Sequence, residues 1–98
     1  MVKHIVLWKL NDEGKKDGAT KVVTLLQGKF KALLGVVDGL KAIEVGENYN
    51  GGEYDMTLYC EFESKEAQDN YQTHPAHLEI KKVVHTFVDG RACVDYVI

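Results

Sequence analysis

Proline is almost missing from this chain: one residue, Pro75, in 98. A lone proline cannot build a Pro-rich linker, so its one effect is local, at the His74-Pro75 step. Cysteine is nearly as scarce. Cys60 and Cys93 are the only two, and each sits in an apolar, strand-like run, which reads as a pair of reduced thiols rather than a disulfide framework. No stretch of about 18 uninterrupted apolar residues occurs, so no membrane span is expected. The start, Met1-Val2-Lys3-His4, lacks the basic region and apolar stretch of a signal peptide, and a cytoplasmic location is expected. An excess of positive charge is absent too. Twelve Lys and Arg stand against fifteen Asp and Glu, for a net charge of −3 and a pI of about 5.7. With no basic run interleaved with aromatics, neither a nucleic-acid nor an anionic-membrane partner is expected. Lys15-Lys16 and Lys81-Lys82 read as solvated helix faces.

What is present supports one globular domain over residues 1–98, since 45% of the residues are hydrophobic and the length suits a single core. Residues 2–10 form a short apolar run with Val, Ile and Trp, favouring a strand. Val2, His4, Val6 and Trp8 share one face of it; Lys3, Ile5, Leu7 and Lys9 share the other. From about Lys15 to Val37 the period changes. Val22, Leu26, Phe30, Leu33 and Val37 recur at steps of three and four, predicting an amphipathic helix that Asp38-Gly39 ends. Leu40 to Glu47 reads as a second strand. Asn48-Tyr49-Asn50-Gly51-Gly52 supplies the residues that tolerate positive φ in a hairpin turn. Tyr54, Met56, Leu58, Cys60 and Phe62 then alternate with polar neighbours and predict a third strand. Ser64 is placed to cap a helix running to Tyr71. Ala76, Ile80, Val83, Val84 and Phe87 mark another beyond Pro75, with Asp89-Gly90 closing it before a last strand from Ala92 to Ile98.

The order is β-α-β-β-α-β, which predicts a ferredoxin-like α+β fold with helices over one face of a four-stranded antiparallel sheet. Ile5, Leu7, Tyr59, Ala92, Val94 and Tyr96 fall on the uncovered face. An apolar patch of that kind on a small domain calls for a partner, and a two-fold homodimer through the open sheet face, forming a barrel-like centre, is the simplest closed solution.

Chemistry concentrates in Tyr71-Gln72-Thr73-His74-Pro75-Ala76-His77. The X-Pro step predicts that one helix stops at His74 and the next starts at Pro75, so that Tyr71 and His77 flank a corner. Two readings stand side by side: a general base with an oxygen-stabilising donor, or two ordinary packed residues. A metal site is not expected. His74 and His77 lie three apart with Asp69, Glu79 and His85 near in sequence, but the proline leaves His74 at a helix edge. Gly51-Gly52 is turn chemistry rather than a phosphate cradle.

Three stretches, Val2-Lys3-His4-Ile5-Val6, Tyr54-Asp55-Met56 through Phe62-Glu63-Ser64, and Tyr71 through His77, resemble the stress-responsive A/B-barrel (Dabb) family of dimeric α+β barrels. With the order of elements, the likeness spans essentially the whole chain, and it implies the same homodimer. The family includes many bacterial members without assigned activity, plant stress proteins and a plant polyketide cyclase that uses neither metal nor organic cofactor. The catalytic histidine and tyrosine of that cyclase match His77 and Tyr71, and a first-strand histidine matches His4. The resemblance therefore implies His77 as base and Tyr71 as donor, in a pocket lined by His4, Val6, Trp8, Met56 and Leu58. Two departures bear on substrate. Met56 replaces a polar pocket histidine, and Arg91 replaces an apolar position of the last strand. A long alkyl substrate would meet a charge there, whereas a carboxylate-bearing ligand would pair with Arg91 if that side chain points inward.

The expected function is that of a Dabb-type homodimer with a small-molecule pocket, acting without cofactor as a cyclase or lyase on an activated carbonyl compound. The competing classes are a non-enzymatic stress-response or ligand-binding barrel protein and a cofactor-independent monooxygenase.

Overall fold

A computed structural model describes residues 1–98. Strand β1 (Val2–Leu10) is followed by a one-turn helix α1 (Asp12–Lys15), helix α2 (Ala19–Lys31), strands β2 (Leu40–Glu47) and β3 (Met56–Phe62), helices α3 (Lys65–Thr73) and α4 (Pro75–Phe87), and strand β4 (Val88–Val97). The sheet order is β2-β3-β1-β4 with every neighbouring pair antiparallel. This is the ferredoxin-like arrangement predicted from the element order.

The register explains which side chains meet. His4 lies opposite Cys60 and Asp95, Val6 opposite Leu58 and Cys93, and Trp8 opposite Met56 and Arg91. Directly paired residues project to the same face, so these nine share the side that the helices cover. There Val6, Trp8, Met56, Leu58 and Cys60 pack with Val22, Leu26, Phe30, Ile80 and Val84 into one buried core. The opposite face stays open. Leu7 and Tyr96 are about two-fifths exposed and Val94 is more than half exposed. Lys3 Nζ donates to the Tyr59 hydroxyl at 2.8 Å and pairs with Glu61 at 3.2 Å on the same side.

Four boundaries differ from the sequence reading. The helix predicted from Lys15 to Val37 is interrupted at Gly18, which has φ +92°, and it ends at Lys31. Positive φ costs little only at glycine, which has no Cβ, so Gly18 and later Gly35 break the helix without disturbing the apolar rhythm. Leu33 and Val37 remain buried although they lie in turns. Strand β3 begins at Met56 rather than Tyr54 because the hairpin turn extends to Asp55, whose carbonyl accepts from Asn48 N at 2.9 Å. Helix α3 is capped by Ser64, whose Oγ accepts from Ala67 N at 3.1 Å, and it continues two residues past Tyr71 to Thr73.

The largest correction concerns Asp89-Gly90, which lies inside β4 rather than in a turn before it. Leu10 pairs with Val88 and Lys9 with Gly90, so Asp89 is the extra residue of a β-bulge. Asn11 makes the direct passage from α4 into β4 feasible. Its backbone N–H donates to Phe87 O at 2.9 Å and its side-chain amide to Thr86 O at 3.0 Å, occupying carbonyls that a helix C-terminus leaves unpaired.

Candidate functional site

Pro75 fixes the corner. His74 takes φ −64° and ψ 131°, outside the helical region, and serves as C-cap of α3 and N-cap of α4. Its Nδ1 accepts from Ala76 N at 3.1 Å. His74 is thereby a capping residue. The turn brings Tyr71 and His77 face to face, with ring centroids 4.0 Å apart and planes inclined by 26°.

Both rings line a cavity of about 500 Å³ between the sheet and α4. Its buried walls are His4, Val6, Trp8, Phe30, Leu58, Tyr71, His77 and Val84; its accessible mouth carries Gln72, Lys81, His85, Asp89 and Arg91. Of the side chains singled out in the sequence, His4, Val6, Trp8, Leu58, Tyr71, His77 and Arg91 meet here. Met56 does not. It is 1% exposed and sits in the core beside Trp8, away from the cavity walls.

Two atoms on the wall are unusual. The Tyr71 hydroxyl and His77 Nδ1 are buried and make no hydrogen bond of good geometry in the subunit, although the Cys60 thiol stands near the first and the backbone of Tyr71 and Gln72 near the imidazole. Leaving a buried polar group unpaired costs about 1–3 kcal/mol, so two such groups in contact call for an explanation beyond packing. Burial moves their ionisation in opposite directions. It pushes the Tyr71 phenol well above its ordinary range, with the neighbouring Cys60 thiol adding to the effect, so the phenol keeps its proton. It holds the His77 imidazole below the usual histidine value, helped by the Lys81 cation. His77 is therefore a neutral ring able to accept a proton, and Tyr71 a permanent donor. Cys60, also buried, is pushed up to about 12, which leaves it an inert thiol.

At the far end of the cavity, His4 Nδ1–H donates to Asp95 Oδ1 at 2.5 Å, and Gln68 Nε2 donates to the same oxygen at 3.0 Å. Partial burial opposes ionisation of Asp95, but these two hydrogen bonds outweigh it and hold its carboxyl below the usual range. The pairing fixes the His4 tautomer, with the proton on Nδ1. Cys93 Sγ lies 3.7 Å from both His4 Nδ1 and Asp95 Oδ2, close enough for the three to share a cation. The direct His4–Asp95 hydrogen bond accounts for the cluster without one.

Sequence reasoning passed over Asp95, Gln68, Lys81, His85 and Asp89 as site residues. A signal was there for two of them. Lys81 and His85 stand one and two helical repeats of four from His77, the spacing of one helix face. Asp95 lies two residues from Cys93 and, once strand pairing is known, opposite His4.

A four-stranded antiparallel sheet with helices over one face, and between them a cavity holding an imidazole–phenol stack, define a small ferredoxin-like α+β protein. Residues 2–98 match the model of the Stress responsive A/B Barrel Domain, and the chain belongs to that family. It is 32% identical over 102 residues to the stress-response A/B barrel domain-containing protein HS1 of Arabidopsis thaliana, covering 97% of this chain and 87% of that protein. A dimeric ferredoxin-like protein of unknown function from Bacteroides fragilis superposes with TM-score 0.88 at 36% identity, covering 99% of this chain and 95% of that one. The hydroxynitrile lyase of Passiflora edulis shares the fold, with TM-score 0.79 at 16% identity over 99% of this chain and 92% of its own.

Proposed function

We propose that the protein is a homodimer in which each subunit carries a cofactor-free acid–base site, with His77 as general base and Tyr71 as oxygen-stabilising donor. The observation that carries the reading is the stacked pair of buried, unpartnered polar atoms on a cavity wall. A ligand carbonyl entering the cavity gives the Tyr71 hydroxyl the acceptor it lacks. An acidic C–H or O–H on the same ligand offers a proton to the neutral imidazole of His77. In the first step His77 takes that proton and the electron pair of the broken bond moves toward the carbonyl or the leaving group. Charge gathering on oxygen is met by the Tyr71 hydrogen bond, and His77⁺ returns its proton to the product. Such a pair serves ring closure by carbon–carbon bond formation and also bond cleavage in a lyase. A lyase among the proteins of like fold is compatible with the second use.

Dimerisation rests on the open sheet face, where Leu7, Val94 and Tyr96 are exposed in the single subunit and burying them against a second copy is favourable. The B. fragilis relative of the same architecture is dimeric.

A binding role without turnover is the second reading, and the near-complete burial of Tyr71 at 1% favours it. The two separate in a deuterium-exchange measurement on phenylacetone in heavy water, followed by proton NMR. Loss of the benzylic signal faster with the wild type than with buffer, His77→Ala or Tyr71→Phe supports the acid–base site. Equal rates in all four samples overturn it.

A further inference from the structure

The mouth of the cavity carries two cations without an ion-pair partner. Lys81 on α4 and Arg91 on β4 both line it, and neither forms an ion pair. The contrast with the next residue is informative, because Lys82, pointing away from the cavity, pairs with Glu79 at 3.0 Å. Asp89 is the one carboxylate at the mouth and it pairs with neither cation. Lys81 and Arg91 against Asp89 leave the formally charged side chains of the lining with one net positive charge. Arg91 is placed there by strand pairing. It lies opposite Trp8, on the helix-covered face, so its guanidinium stands on the same side as the aromatic wall. That wall is aromatic: Trp8 and Phe30 stack with centroids 5.9 Å apart, and Phe30 approaches His77 at 6.4 Å.

We infer that the ligand is a small oxo-carboxylate with a planar apolar body, its carboxylate held by Arg91 and Lys81 and its body lying along Trp8 and Phe30. A guanidinium presents paired N–H donors that match the two oxygens of a carboxylate, and the ammonium of Lys81, carried on α4, adds a second cation. One net positive charge suits a monoanion better than a phosphate dianion. Anchoring the ligand at the mouth leaves its carbonyl to reach inward to Tyr71, and in that respect the inference rests on the acid–base site proposed above. A cavity of about 500 Å³ falls within the usual range for small-molecule sites.

Trp8 is the only tryptophan of the chain and lines the cavity, so its fluorescence reports binding directly. Benzoylformate and its methyl ester differ in one charge and have no α-hydrogen for His77 to take, which separates binding from chemistry. The expected result is at least tenfold tighter binding of benzoylformate than of the ester at low ionic strength. Arg91→Gln and Lys81→Gln should each lose much of that preference. Both side chains are exposed, so these variants should fold. Equal affinity for acid and ester, a preference that survives the double variant, tighter binding of phenyl phosphate than of benzoylformate, or binding of none of the three overturns the inference. Failure of the acid–base site alone looks different: the charge preference persists while phenylacetone exchange is no faster than in buffer.

Discussion

Tyr71 and His77 stack ring on ring, centroids 4.0 Å apart, although a proline break separates the helices that carry them. The stack is held from three sides by Phe62 against Tyr71 at 5.0 Å, Phe30 against His77 at 6.4 Å, and His4 edge-on to Tyr71 at 6.3 Å. Packing therefore positions the phenol without using its hydroxyl.

Tyr71→Phe keeps every ring contact and removes an oxygen that has no partner. Urea unfolding should show stability unchanged or higher by up to about 1 kcal/mol, while donor-assisted exchange slows by roughly a hundredfold. A fall in stability with exchange unaffected would mean that the hydroxyl serves the fold and not the reaction.

The lowered pKa of His77 gives a pH dependence of definite sign. The unfolded chain binds a proton at His77 near pH 6.5, and the folded chain resists doing so until lower pH. The stability associated with its neutral burial is thus complete above about pH 6.5 and declines as pH falls below that value. Denaturation midpoints between pH 7.5 and 5.5 should drop for the wild type and drop less for His77→Gln. The range lies above ordinary carboxylate pKa values of about 4, which keeps Asp95 from contributing. Exchange activity should hold on acidification to below pH 6.5, since His77 stays neutral there.

Gly39 has φ +81°, and a Cβ built on it would lie 2.4 Å from Ala67 Cβ on α3. Gly39 O also accepts from Glu63 N at 2.8 Å, tying the start of β2 to the end of β3. Gly39→Ala should cost about 2–4 kcal/mol, from the left-handed backbone together with the steric clash. Thermal unfolding will measure it, and a loss below 0.5 kcal/mol, on the order of an ordinary surface substitution, would show that α3 seats loosely.

Val94→Lys or Tyr96→Lys places an ammonium on the open sheet face and should convert the dimer to a monomer by light scattering at micromolar concentration. Leu25→Lys is the control, since Leu25 is equally exposed as Tyr96, at 41%, but on α2. A dimer mass for the Val94 and Tyr96 variants would place the interface elsewhere.

The fold was legible because each element carries its own signal. The alternation of Met56, Leu58, Cys60 and Phe62 against polar neighbours marks β3, the rhythm of Val22, Leu26 and Phe30 marks α2, and Ser64 and Pro75 mark two helix starts. Boundaries were less so. Gly18 breaks a periodic pattern without changing its phase, and the Asp89-Gly90 pair carries the chemistry of a turn while acting as a strand bulge, a choice made by pairing with Lys9 and Leu10. In the site, the Tyr71–His77 corner follows from a single proline. The His4–Asp95 hydrogen bond does not, because 91 residues separate the partners and only the β1–β4 register brings them together.

The extra residue at Asp89 also governs how helix α4 hands over to the last strand. Helix α4 passes into β4 with no connecting loop, so no slack absorbs a change in length. Deleting Asp89 would leave Val88 opposite Leu10 and Gly90 opposite Lys9 in an unbroken ladder, so Arg91, Cys93 and Asp95 would keep their side of the sheet while the local kink and extra twist of the bulge would be lost. That single kink sets the angle at which helix α4 gives way to the sheet, at the edge where Asp89 and Arg91 line the cavity mouth.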